Sequence, residues 1–286
     1  MSDAMHAPLV APNVAVRSWQ RARTLDSRYL IAFLITLVLV VAQLRYHMVG
    51  GYSRLALALG VCVATELVLS WFDRGKVANL LSAYVSGISL TLLTKPQGGA
   101  LWPFVLGGFL AISSKYVVQY RGNHLWNPTN FAICALLLAA PSRVSVLSHQ
   151  FGNDLTTNIV IWAFGLVIAA RVGVLHITLT YLVSFLVLNG IRAAALGQAV
   201  LPELAPITGP MYQLFLFFMI TDPRTVVRGR QRQIAVAVTI AVAEMLIRLG
   251  SDQGWPFPTA FNAAPPLMAL ALVGPVAKWI DLRRQR

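Results

Sequence analysis

Apolar runs close to the length of a bilayer crossing recur along almost the whole chain, and arginines sit in the short connections between them. A crossing needs about 20 residues at 1.5 Å rise each. Runs of this kind, some shorter, lie at 29–48, 55–72, 77–94, 101–120, 128–140, 156–170, 174–191, 210–220, 234–249 and 263–280. Only 12% of the residues are charged, about half the share of a soluble domain. Too few charges remain to coat a water-facing surface, so lipid is the expected solvent. The pattern predicts an all-α membrane protein of about ten transmembrane helices with no soluble domain of its own.

The runs at 128–140 and 210–220 are short and marked by proline. They read as half-helices entered through irregular backbone, which survives at membrane depth only where protein or water satisfies it. Broken helices are a common mark of a central site.

Lysine and arginine divide unevenly between the two sides of such a bundle. With ten spans, 17 of the 23 fall on the side of the termini and six on the other. Basic loops stay inside, so both ends are expected in the cytoplasm of a bacterial inner membrane. The net charge of +13 then serves topology and anionic lipid rather than nucleic acid. The first 28 residues carry four arginines and no apolar core, and read as a cytoplasmic tail. Cys62 and Cys134 lie singly in apolar runs, without the spacing of a zinc or iron–sulfur site.

Two motifs recur in order. Trp126-Asn127-Pro128 opens one apolar stretch, and Phe261-Asn262-Ala263-Ala264-Pro265-Pro266 opens another. Thr94-Lys95-Pro96 closes a third, and Thr221-Asp222-Pro223 closes a fourth. The spacing fits two five-span units, 29–141 and 156–282, with a periplasmic loop at 142–155 and a basic tail at 283–286. Five is odd, so the second unit would cross in the opposite sense, as an inverted repeat with a site between the halves.

The stretches SAYVSGISLTLLTKP, LWPFVLGGFLAISSKYV, GNHLWNPTNFA and FFMITDP, followed by the basic end of the chain, resemble in their order the RnfD/NqrB family. Its members are membrane components of ion-pumping, flavin-based electron-transport complexes. The resemblance implies a ten-helix inverted-repeat fold similar to that of urea transporters, partner redox subunits, and two flavins. One flavin is a covalent FMN on a Thr of a Ser-Gly-Ala-Thr motif; the other is a non-covalent riboflavin near the Asn-Pro motif. The loop PSRVSVLSHQFGNDLTT lacks that motif, and Thr156 and Thr157 stand outside it. Covalent FMN is therefore not expected, and non-covalent riboflavin or FMN is.

On this resemblance the cofactor-binding candidates are Asn123, Asn127, Pro128, Thr221 and Asp222. The family's asparagines are spaced by three; here Asn123 and Asn127 are four apart. Asparagine amides can meet the edge of a flavin ring with both donor and acceptor. Asn127 before Pro128 also suits a helix N-cap with proline at the first position, and Asp222 could equally anchor the arginine-rich loop behind it. Glu66 and Glu244 lie inside apolar runs, where a carboxylate is costly unless paired or protonated, so both are ion-path candidates. Alternatively Glu244 pairs with Arg248 four residues on, and Glu66 is a hydrogen-bonded acid between helices. No catalytic constellation or metal site is expected. A small-solute channel, or a membrane anchor for a biosynthetic enzyme, are the competing functions.

Overall fold

The computed structural model describes residues 27–146 and 154–284. Most of the expected N-terminal tail, the middle of the 142–155 loop and the last two residues lie outside them. The described chain is helical apart from two short ribbons. In order it forms α1 (Ser27–Tyr46), α2 (Tyr52–Arg74), α3 (Leu81–Leu93), β1 (Thr94–Pro96) and α4 (Trp102–Val117). Next come β2 (Gln119–Tyr120), β3 (Asn123–His124), α5 (Pro128–Ala139), β4 (Val144–Val146), α6 (Leu155–Val172) and α7 (Leu175–Ala195). The chain closes with α8 (Val200–Leu204), α9 (Pro210–Leu214), α10 (Arg230–Asp252), α11 (Thr259–Ala263) and α12 (Pro265–Arg283).

Among the described residues six helices are long and apolar enough to cross a membrane: α1, α2, α6, α7, α10 and α12. Their outer faces carry large apolar side chains, with Leu44 73% and Phe72 82% exposed. An all-α membrane protein presents such a surface, because lipid replaces water around it. Three apolar segments are too short to cross. Leu81–Leu93, the longest of them, has 13 residues and spans about 20 Å of a hydrocarbon core about 30 Å thick.

The short helices need partners for the backbone beyond their ends, and they find them in each other's continuations. The chain leaves α3 as β1 and leaves α5 toward β4, and these strands pair antiparallel with Lys95 opposite Ser145. Near the other end of α4 the chain turns back through β2 and β3. Arg121 and Gly122, both at positive φ, form the two-residue turn between them, as the hairpin twist demands. The run at 101–120 is therefore a 16-residue helix plus a hairpin strand. The run at 210–220 is one α-helical turn and a π-helical turn at Phe215–Met219. The run at 263–280 begins after a break at Ala264 and is held open by Pro265 and Pro266.

α2 packs on α3 and α4, α4 on α5, α7 on α10, and α10 on α12, while α1 meets α6 and α5 meets α12. Asp154 caps α6 through the Thr157 N–H and takes the Tyr46 hydroxyl at 2.8 Å, which ties the ends of α1 and α6. α2 and α3 come closest at Gly87, where a Cβ would lie 3.1 Å from the Leu59 Cα. Gly87→Val forces backbone apart there. It is expected to cost roughly 1–3 kcal/mol, read as a lower melting temperature in detergent; an unchanged value would mean the two helices do not press together at that point.

Candidate functional site

Two interrupted helices meet at the start of α5. Asn127 is its N-cap, and its Oδ1 accepts the Asn130 N–H at 3.0 Å. Its Nδ2 donates to Asp222 Oδ2 at 3.0 Å and to the Phe218 carbonyl at 3.4 Å. Asp222 follows the π turn, in which the Ile220 N–H reaches the Phe215 carbonyl at 3.0 Å. Asp222 Oδ1 accepts the Arg224 N–H at 3.1 Å, and its carbonyl accepts the N–H groups of Thr225 and Val226. One asparagine and one aspartate thus satisfy backbone on both sides of the gap.

Trp126 adds a third link. Its indole N–H donates to the Ala271 carbonyl at 3.0 Å. That carbonyl would ordinarily take the N–H of residue 275, but residue 275 is a proline inside α12 and has no N–H to give. The indole replaces the missing donor and fastens the start of α5 to the last long helix.

Asn127 and Asp222 border a cavity of about 150 Å³. Asn127, Pro128, Thr221 and Asp222 line it together, with Phe217 and Phe218 among its apolar lining and Ser86, Ser89, Lys115 and Arg224 among its polar lining. Gly165 gives Phe217 its room, since a Cβ there would fall 2.5 Å from the ring. His124 also lines the cavity and accepts from Arg224 at 3.2 Å through Nε2. Burial, then the nearby Arg224 charge, hold its pKa below the usual histidine value, which keeps the ring neutral as an acceptor at neutral pH.

Asn123 stands apart. It sits in the hairpin, its amide donates to the Arg121 carbonyl at 2.9 Å, and it lines a groove beside the cavity. The structure does not bring the two asparagines to one edge. Glu66 lies behind the cavity wall, taking Lys115 Nζ at 2.7 Å and the Tyr116 hydroxyl at 2.9 Å. Glu244 is fully buried elsewhere, between α7, α9 and α10. It accepts from Tyr181 and Tyr212, and from Arg248 Nε at 3.0 Å. The expected pair with Arg248 is therefore present, with two tyrosines added.

Sequence reasoning passes over Lys115. A count by loops places it on the inner side, yet it lies in the last turn of α4 with 3% of its side chain exposed. The available signal is a lone lysine in one apolar run and a lone glutamate in another, 49 residues apart. The tyrosines around Glu244 and the serines of α3 give no signal, being ordinary in composition. No protein-family model matches this chain, and no curated protein matches it.

Two outcomes follow. Trp126→Phe leaves the Ala271 carbonyl unpartnered and should cost about 1–3 kcal/mol. Adding Pro275→Ala restores a helical donor, so the double variant should melt above the single one; no recovery would refute the link. Lys115→Met strands the Glu66 carboxylate and should cost on the order of 3–5 kcal/mol, whereas Lys115→Met with Glu66→Leu should lose far less. Equal losses in thermal unfolding would show that the two charges do not depend on each other.

Proposed function

We propose that this chain is a membrane subunit that holds a flavin in the cavity at Asn127 and Asp222 and relays electrons within a larger, ion-moving complex. The observation that carries the reading is the cavity itself, set between two helix breaks with aromatic, hydroxyl and cationic side chains around it. A flavin ring is apolar on its faces, hydrogen-bonds along its edge and gains negative charge on reduction. Phe217 and Phe218 would meet a face, and Ser86, Ser89, Thr129 and Thr221 would offer hydroxyls to the edge. Lys115 and Arg224 would favour the reduced, anionic form. Asn127 would act by position, because its amide is already committed to the α5 cap and to Asp222.

Bound flavin would supply the electron-carrying chemistry. The chain has no nicotinamide motif and no iron–sulfur ligand spacing, so electrons would arrive from partner redox subunits. The order of motifs shared with the RnfD/NqrB family supports the same role, with riboflavin or FMN held non-covalently.

The helix contacts support two inverted five-span halves. The pairing of α2 with α4 has its counterpart in α7 with α10, and α4 with α5 in α10 with α12. The first of these pairs holds a buried carboxylate in each half, Glu66 against Lys115 and Glu244 against Tyr181. In this reading the two halves comprise ten membrane segments, the three short ones reaching only part-way through the bilayer, and the arginine-rich end beside the cavity faces the cytoplasm of a bacterial inner membrane.

The visible spectrum of the purified protein tests the function. Bound flavin gives a band at about 450 nm, characteristic of the cofactor itself, and Phe217→Ala should weaken its retention. A protein that neither retains flavin nor takes it up on reconstitution ends the proposal. Small-solute flux into liposomes by such a flavin-free protein would favour a channel instead.

A further inference from the structure

A groove of about 690 Å³ adjoins the cavity on the side of the hairpin and the 224–229 loop. The two share His124, Val174, Pro223 and Arg224 in their linings. Arg74, Arg224, Arg228 and Lys278 line the groove, and no aspartate or glutamate does. The nearest carboxylates are already engaged. Asp281 takes the Arg228 backbone N–H at 3.0 Å and the Arg232 guanidinium at 2.6 Å. Asp222 holds Asn127 and the Arg224 N–H. Arg74 pairs with its neighbour Asp73 at the exposed surface.

Lys278 is the unusual member. It is 5% exposed, its ammonium donates to the Val226 carbonyl at 2.7 Å, and it forms no ion pair among the described residues. The Asp281 and Asp222 carboxylates attract it from a distance, and the Arg228 guanidinium repels it. Bringing like charges together in a concave, partly desolvated place costs energy that a bound anion would offset. Arginine forks and a lysine ammonium are the donors that recognise phosphate oxygens.

We propose that the ligand of this site is a phosphate monoester whose flat portion enters the cavity while its phosphate rests among Arg228, Lys278 and Arg224 in the groove. The inference rests on the flavin reading and narrows it: the site takes a flavin mononucleotide in preference to riboflavin. A phosphate group from a lipid headgroup offers the same chemistry, so the test separates the two sources.

The full chain is placed in nanodiscs of neutral phosphatidylcholine, and FMN and riboflavin are titrated by flavin fluorescence. FMN should bind about tenfold tighter or more, as expected for a charge-assisted phosphate contact, and added salt should narrow the gap. Arg74→Ala with Arg228→Ala, both at exposed positions, should close most of that gap, and Lys278→Met should do so as well where it folds. Equal affinity for the two flavins overturns this inference and leaves the flavin reading standing. Failure to bind either flavin overturns both. Loss of FMN binding on adding phosphatidylglycerol to the nanodiscs would assign the groove to a lipid headgroup and overturn the soluble ligand.

Discussion

Backbone that leaves a helix inside a membrane has no water to turn to, and the arrangement of this bundle follows from how that demand is met. Three apolar segments stop short of a full crossing. At one end, β1 and β4 pair to satisfy the chain beyond α3 and α5. At the other, Asn127 and Asp222 bridge the start of α5 and the end of the π turn. Trp126 then supplies the donor that Pro275 removes from α12. Each repair is made by a residue from a distant part of the chain, so the breaks also fix which helices lie together.

Buried charge obeys the same logic. A carboxylate in hydrocarbon persists only with partners. Glu66 has Lys115 and Tyr116, and Glu244 has Arg248 and two tyrosines. Arg192, 2% exposed, is clasped by Glu203 and Asp252. These clusters join α2 to α4, α10 to α7 and α9, and α7 to the segments that follow it. Lys115 has a second face, since it also borders the cavity. A ligand there would therefore feel a cation whose position depends on Glu66.

Cavity and groove form one graded site. The inner wall is aromatic and hydroxyl-bearing, the shared rim carries His124 and Arg224, and the groove is wholly cationic among its charged residues. The proposed ligand, with a flat body and an anionic end, would match that gradient from one end to the other. In the orientation proposed above the same cations would face the cytoplasm, so one distribution of charge would serve both orientation and binding.

Much of this was legible in the order of residues. Twenty-residue apolar runs with basic connections dictate helices in lipid whatever their packing, because backbone hydrogen bonds must close within each segment. Asn127-Pro128 dictates a capped helix start, since cap and first-turn geometry are local. The split of the 128–140 and 210–220 runs from full crossings was visible in their length. What tertiary structure alone decided was partnership across long separations. The Asn127 amide meets Asp222, 95 residues away, and its capacity is used up there. Asn123, four residues upstream, turns into the hairpin because Arg121 and Gly122 bend the chain back. Lys115 reaches Glu66 because α2 and α4 pack side by side. Local periodicity carries no information about which distant side chain completes a hydrogen bond, and that choice is made only when the helices close on one another.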